Sequence, residues 1–156
     1  MPITATEPRR NDFHSLSPHG FHRVVYFEWG DPAQSRVVIC VHGVGRNARD
    51  FDALGEALSS THRVLAVDMP GRGESDWLAE ANDYVFPTYL TTLTALIARS
   101  GAQTVDWVGT SMGGLLGIVG QQHLLCTVAQ FDCNTAHFGE VPVDLLGQHV
   151  HGMAPT

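Results

Sequence analysis

Ser111 stands between Gly109 and Gly113 in the stretch Gly109-Thr110-Ser111-Met112-Gly113-Gly114. A serine hydroxyl is a candidate nucleophile when the backbone lifts it clear of its surroundings. An apolar run at residues 105–108 precedes it, and another at 115–119 follows. Strand, sharp turn and helix is the reading those flanks support. That context makes G-x-S-x-G a nucleophile elbow. The glycines have a physical reason. The residue between them is forced into a strained conformation, and a Cβ on either side would crowd the approach of strand and helix. On the five-residue pattern alone, a glycine-rich turn with an incidental serine fits as well.

Two more loops can carry chemistry, and both follow short apolar runs. His42-Gly43-Val44-Gly45 comes after Val37-Val38-Ile39-Cys40-Val41, and Asp68-Met69-Pro70-Gly71-Arg72-Gly73-Glu74-Ser75 comes after Val64-Leu65-Ala66-Val67. Such short, continuous apolar runs, rich in β-branched residues, fit strands buried on both faces of a parallel sheet. Between the loops, Asp50 can cap a helix with Phe51, Leu54 and Leu58 at helical spacing. Residues 88–100 put Leu90, Leu93, Leu96 and Ile97 on one helix face, with Gly101 as its C-cap. Strands alternating with helices predict an α/β fold, a mostly parallel sheet with flanking helices. Ligands of such sheets bind beyond the carboxyl ends of the strands. All three loops fall there.

Upstream, residues 1–12 read as a flexible arm, 13–17 as a short first strand and 21–29 as a strand near a sheet edge. The 156 residues suit one domain with a sizeable core. Net charge is −7, and all nine basic residues are arginine, so no basic stripe invites nucleic acid. Cys40, Cys126 and Cys133 form no C-x-x-C pair, which argues against a disulfide framework and a zinc site. Cys40 reads as a small buried side chain. No apolar run approaches the roughly 20 residues that span a bilayer. Residues 1–12 lack a signal-peptide core, so the expected setting is cytoplasmic. Nothing implies a metal or an organic cofactor.

The three loops in register resemble the N-terminal half of an α/β-hydrolase of the serine esterase, lipase or C–C hydrolase type, over residues 13–119. The resemblance implies acyl transfer to water from a small-molecule, ester-like substrate, with Ser111 as nucleophile. It implies that the backbone N–H groups of Val44 and Met112 form the oxyanion hole. It excludes the subfamilies with an aspartate nucleophile. His42 is expected to orient the oxyanion loop, and Asp68 and Ser75 to hold their own loop together. Arg72 is expected to be a solvated arginine, with a carboxylate substrate as its alternative partner. Trp77, Tyr84 and Phe86 line a pocket or cover the sheet.

The family's acid and histidine follow the serine in the chain, and only 45 residues follow Ser111. The fold therefore reads as an incomplete α/β-hydrolase fold. Residues 120–156 read as an atypical tail, consistent with an out-of-frame sequence, and hold His123, His137, His149 and His151. A sixth strand at 126–131 would place Asp132 at its end. Asp132 with His137, His149 or His151 has the right chain order for an acid and a base, but the short separation disfavours it. Two functions stay open: a truncated, weakly active serine hydrolase, and a non-catalytic fragment or binding protein retaining the fold. A bare edge beside the elbow strand would favour self-association.

Overall fold

The structure, a computed structural model, describes residues 7–121, 130–131 and 135–138. Its strands are β1 (Arg9–Ser17), β2 (Gly20–Trp29), β3 (Val37–Val41), β4 (Arg63–Val67), β5 (Asp106–Thr110), β6 (Gln130–Phe131) and β7 (Thr135–Phe138). Its helices are α1 (Asp52–Leu58), α2 (Phe86–Ser100) and α3 (Met112–Gln121). The strands form one sheet in the order β1-β2-β4-β3-β5-β7-β6.

β3 is buried at every position and lies parallel between β4 and β5. Its alternate side chains feed two cores. Ile39 and Val41 join Leu65, Val67, Leu93, Leu96 and Leu116 on the face covered by α2 and α3. Val38 and Cys40 join Trp29, Val64, Phe51, Leu54 and Leu58 on the face covered by α1. This is why the run carries no polar residue. Cys40 is fully buried, and burial pushes its thiol pKa up. α2 ends as its sequence signals: Gly101 adopts φ +73° and its N–H bonds the Ala98 carbonyl.

The sheet is mixed. The parallel part is β4, β3 and β5. β1 and β2 form an antiparallel hairpin across a two-residue turn, the only sense such a short link allows. β2 also meets β4 antiparallel. The hairpin corrects the expected arm, because residues 9–12 belong to β1 and pair with 25–28. Arg9 and Asn11 donate to the Glu28 carboxylate at 3.1 and 3.4 Å, which anchors this start of the strand.

The expected cap at Asp50 is replaced by Asn47. Asn47 is extended, and its Oδ1 accepts the Arg49 N–H at 3.0 Å, opening a 3-10 turn, Ala48–Phe51, that runs into α1. Asp50 instead accepts from Arg46 Nε and Nη2 at 2.8 and 2.7 Å.

The elbow strand starts one residue later and ends two residues nearer Ser111 than the expected 105–108, so the sheet runs directly into the turn. Its outer edge is not bare: β7 pairs with it antiparallel, Thr135 opposite Thr110 and His137 opposite Val108. Of the expected strand at 126–131, Gln130–Phe131 is β6, paired to β7, and 126–129 lie outside the described residues. Among the described residues no helix is long and apolar enough to cross a membrane.

Candidate active site

Ser111 sits between the last residue of β5 and the first of α3, with φ +53°. Among the described non-glycine residues no other has positive φ. Its side chain is exposed, while Met112 beside it is buried. The neighbouring glycines have no room for a side chain. A Cβ on Gly113 would strike the Val41 carbonyl, and one on Gly109 would strike the Gly113 backbone. Trp107, fully buried on β5, donates its indole N–H to the Gly113 carbonyl at 3.0 Å and ties strand to helix.

The loop after β3 lies against this turn. A Cβ on Gly43 would come within 3.6 Å of Ser111 Cβ. The loop turns tightly, the Arg46 N–H donating to the Gly43 carbonyl at 3.1 Å. Val44, at its tip, is exposed. Among the described residues the backbone N–H groups of Val44 and Met112 make no hydrogen bond to the protein.

His42 has no exposed surface. Its Nδ1 is 2.7 Å from the Gly43 carbonyl and its Nε2 accepts the Met69 N–H at 3.0 Å. Burial lowers its pKa, with the nearby Arg72 charge adding to that effect. The ring joins the first loop to the second, as expected of an orienting residue. Asp68 is also buried, and its two oxygens accept the N–H groups of Ala48 and Glu74 at 2.7 and 2.8 Å. Ser75 Oγ donates to the Asp68 carbonyl at 2.6 Å and accepts the Val25 N–H at 2.8 Å. Gly73, at φ +53°, passes so close to Asp68 that a Cβ would strike the carboxylate.

Arg72 departs from the expected solvated side chain. It is half-buried. Its Nε donates to the Val44 carbonyl at 3.0 Å, and its Nη1 to the Pro70 carbonyl and the Tyr89 hydroxyl at 2.8 and 3.0 Å. The guanidinium carbon lies 5.7 and 5.5 Å from the ring centroids of Tyr84 and Tyr89. Sequence reasoning missed this link because three of its partners are carbonyls and a distant phenol. The available signal was an arginine between two glycines beyond a buried strand. Trp77 is exposed, Phe86 starts α2 at the surface, and Tyr84 packs on the second loop, its hydroxyl accepting the Leu78 N–H at 2.8 Å.

Among the described residues no acid or histidine is hydrogen-bonded to Ser111. Its carbonyl accepts the Leu115 N–H at 3.1 Å, and its Oγ makes no hydrogen bond among the described residues. Asp132, His149 and His151 lie outside the described residues, and His137 falls within β7, in register with Val108 rather than in a loop. Among the described residues no three His, Cys, Asp or Glu side chains form a metal site.

The family model for the alpha/beta hydrolase fold matches residues 36–119. The chain belongs to that family. It is 50% identical over 114 residues to a 3-hydroxybutyrate-oligomer hydrolase of Cupriavidus necator, a match covering 73% of this chain and 39% of that protein. It is 31% identical over 88 residues to a pimeloyl-[acyl-carrier protein] methyl ester esterase of Vibrio cholerae, covering 56% of this chain and 32% of that one. The solved structure of an alpha/beta hydrolase from Novosphingobium aromaticivorans superposes with a TM-score of 0.66 at 32% identity, covering 80% of this chain and 45% of that one. The chain thus spans less than half the length of each of these proteins.

Proposed function

We propose that the chain carries the nucleophile-bearing half of a serine hydrolase acting on a carboxylic ester. Ser111 Oγ attacks the acyl carbon, and the N–H groups of Val44 and Met112 receive the oxyanion that forms. The observation that carries this reading is the backbone of Ser111. A positive φ at a non-glycine residue costs about 1–3 kcal/mol and persists where its surroundings impose it. Here it holds an exposed hydroxyl at the carboxyl end of β5, beside an adjoining loop. The two unpartnered N–H groups supply the donors such a reaction needs.

Similarity to a 3-hydroxybutyrate-oligomer hydrolase supports a short hydroxyalkanoate ester as the substrate class. Attack requires that the Ser111 proton be taken up, and no described group bonds Oγ. The expected activity of this chain alone is therefore weak, at the level an oxyanion hole and binding sustain without a complete triad. The second reading is a binding protein that retains the fold without turnover.

A fluorophosphonate probe separates the two. Labelling of the wild-type chain that vanishes in Ser111→Ala, with slow release of 3-hydroxybutyrate from its dimer, supports the hydrolase. An unlabelled, well-folded chain supports the binding protein.

A further inference from the structure

Among the described residues no carboxylate forms an ion pair with Arg72. It is half-buried, and all its partners are neutral: two carbonyls, one phenol and two ring faces. Every other arginine except the exposed Arg99 has a carboxylate within 3.8 Å. Acids are not scarce, since the chain has 16 against nine arginines. The acids of the neighbouring loops are committed elsewhere. Asp68 is held by the Ala48 and Glu74 amides, Glu74 meets Arg10, and Asp50 meets Arg46. A guanidinium partly withdrawn from water without a counter-charge is costly, and an arriving anion recovers that cost.

The same bonds leave one nitrogen of the guanidinium for an anion. Nε and Nη1 are occupied, which fixes the plane of the guanidinium. Nη2 makes no hydrogen bond among the described residues, and it is not among the buried polar atoms sealed from solvent. The carbonyl that Nε grips belongs to Val44, and Gly43 beside it adjoins Ser111. The free edge of the cation is thus fixed to the loop that borders the elbow.

We propose that Arg72 receives a free carboxylate of the substrate through Nη2, making it the residue that selects acidic esters, molecules carrying one ester and one ionised carboxylate. This deepens the hydrolase reading and rests on it for the position of the scissile ester. A guanidinium–carboxylate contact of this kind is charge-assisted and stronger than a neutral hydrogen bond. A lysine there would keep the point charge but lose the fork that holds it to Val44 and Tyr89.

Isothermal titration with monomethyl glutarate and dimethyl glutarate tests the proposal. The two probes share an ester and a chain length and differ in one carboxylate. Each is titrated into the wild-type chain and into Ser111→Ala, which cannot turn them over. The monoester is expected to bind roughly tenfold or more tightly than the diester. Added salt is expected to narrow that gap. Arg72→Gln is expected to abolish it, Arg72→Lys to keep part of it, and Arg99→Gln to leave it whole. A clamp without an anion-binding role would weaken both probes alike.

Equal affinities in the wild-type chain, no measurable binding of the monoester, or a gap that survives in Arg72→Gln would each overturn the assignment. If Arg72→Gln does not fold, the wild-type comparison and its salt dependence decide. Fluorophosphonate labelling of Ser111 is scored separately. A labelled chain that does not prefer the monoester loses the Arg72 assignment alone, and an unlabelled chain that prefers it loses the hydrolase reading alone.

Discussion

The backbone N–H of Met69 donates to Nε2 of His42 at 3.0 Å, and that bond fixes the state of the ring. An accepting Nε2 carries no proton, so the proton of the neutral imidazole sits on Nδ1 and is donated to the Gly43 carbonyl at 2.7 Å. His42 is thereby a neutral strut between the loops after β3 and β4. It cannot become charged without losing the Met69 bond.

A pH dependence follows. The folded-state pKa of His42 is lowered by burial, so the unfolded chain binds more protons as pH falls below about 6.5. The contribution of His42 is intact above that pH and is lost as pH falls toward the folded-state pKa. His22 and His62, also lowered mainly by burial, act in the same direction, whereas His19, raised by its bond to Asp83, acts oppositely. The test is therefore a difference. Urea midpoints of wild type and His42→Gln are compared between pH 7.5 and 5.5, an interval spanning about one unit either side of the free histidine value. The variant is expected to be less stable at the upper end and to lose less on acidification. Parallel curves would remove His42 from the account.

Asp68 makes the second loop depend on one carboxylate. Its oxygens satisfy two N–H groups, and it is 1% exposed. Asp68→Ala leaves both donors without an acceptor, which costs about 3 kcal/mol. Asp68→Asn keeps one acceptor and sets an amide against the other donor, so an intermediate loss is expected. Chemical denaturation of the three proteins checks the order, and an Asn variant weaker than Ala would contradict it.

The glycines divide into those with and without space. Gly113→Ala forces a methyl group into the Val41 carbonyl, at a cost of roughly 3 kcal/mol together with a displaced elbow. Gly45 has open space around its Cβ position and needs no positive φ, so Gly45→Ala is expected within about 0.5 kcal/mol of wild type. Thermal midpoints and fluorophosphonate labelling are read together. Gly113→Ala should lose both, and Gly45→Ala neither.

What the sequence disclosed about these parts follows a physical line. Gly109 and Gly113 are legible because the space they leave can be filled by no other residue, so the strained serine shows through its neighbours. Asp68 and Ser75 are legible because a turn-rich loop needs side chains to satisfy its amides. The buried strands are legible because a position covered on both faces admits no polar side chain. Arg72 was not legible, because a grip on the carbonyls of Val44 and Pro70 leaves no mark on the residues at those positions. The start of β1 at Arg9 depends on Glu28 across a hairpin, and charged residues at a chain's beginning look alike whether paired or free. β7 is four residues long, too short for alternation to show, so its cover over β5 was not foreseen.

The strain at Ser111 gives the sharpest separation of stability from chemistry. The residue holds φ +53°, where a Cβ is disfavoured and glycine is not. Ser111→Gly removes the side chain that makes this conformation costly and is expected to stabilise the fold by about 1 kcal/mol. For a chain of this size that raises the thermal midpoint by about 2–4 °C. Ser111→Ala keeps the Cβ and is expected to stay near the wild-type midpoint. Both variants lose the hydroxyl and should be inert to the fluorophosphonate probe. The glycine variant gives up some of this gain through the greater freedom of its unfolded chain, so a gain that survives measures native strain. A Ser111→Gly chain no more stable than Ser111→Ala would mean that the elbow imposes no strain on its serine. The backbone argument for Ser111 as a positioned nucleophile would then lose its footing.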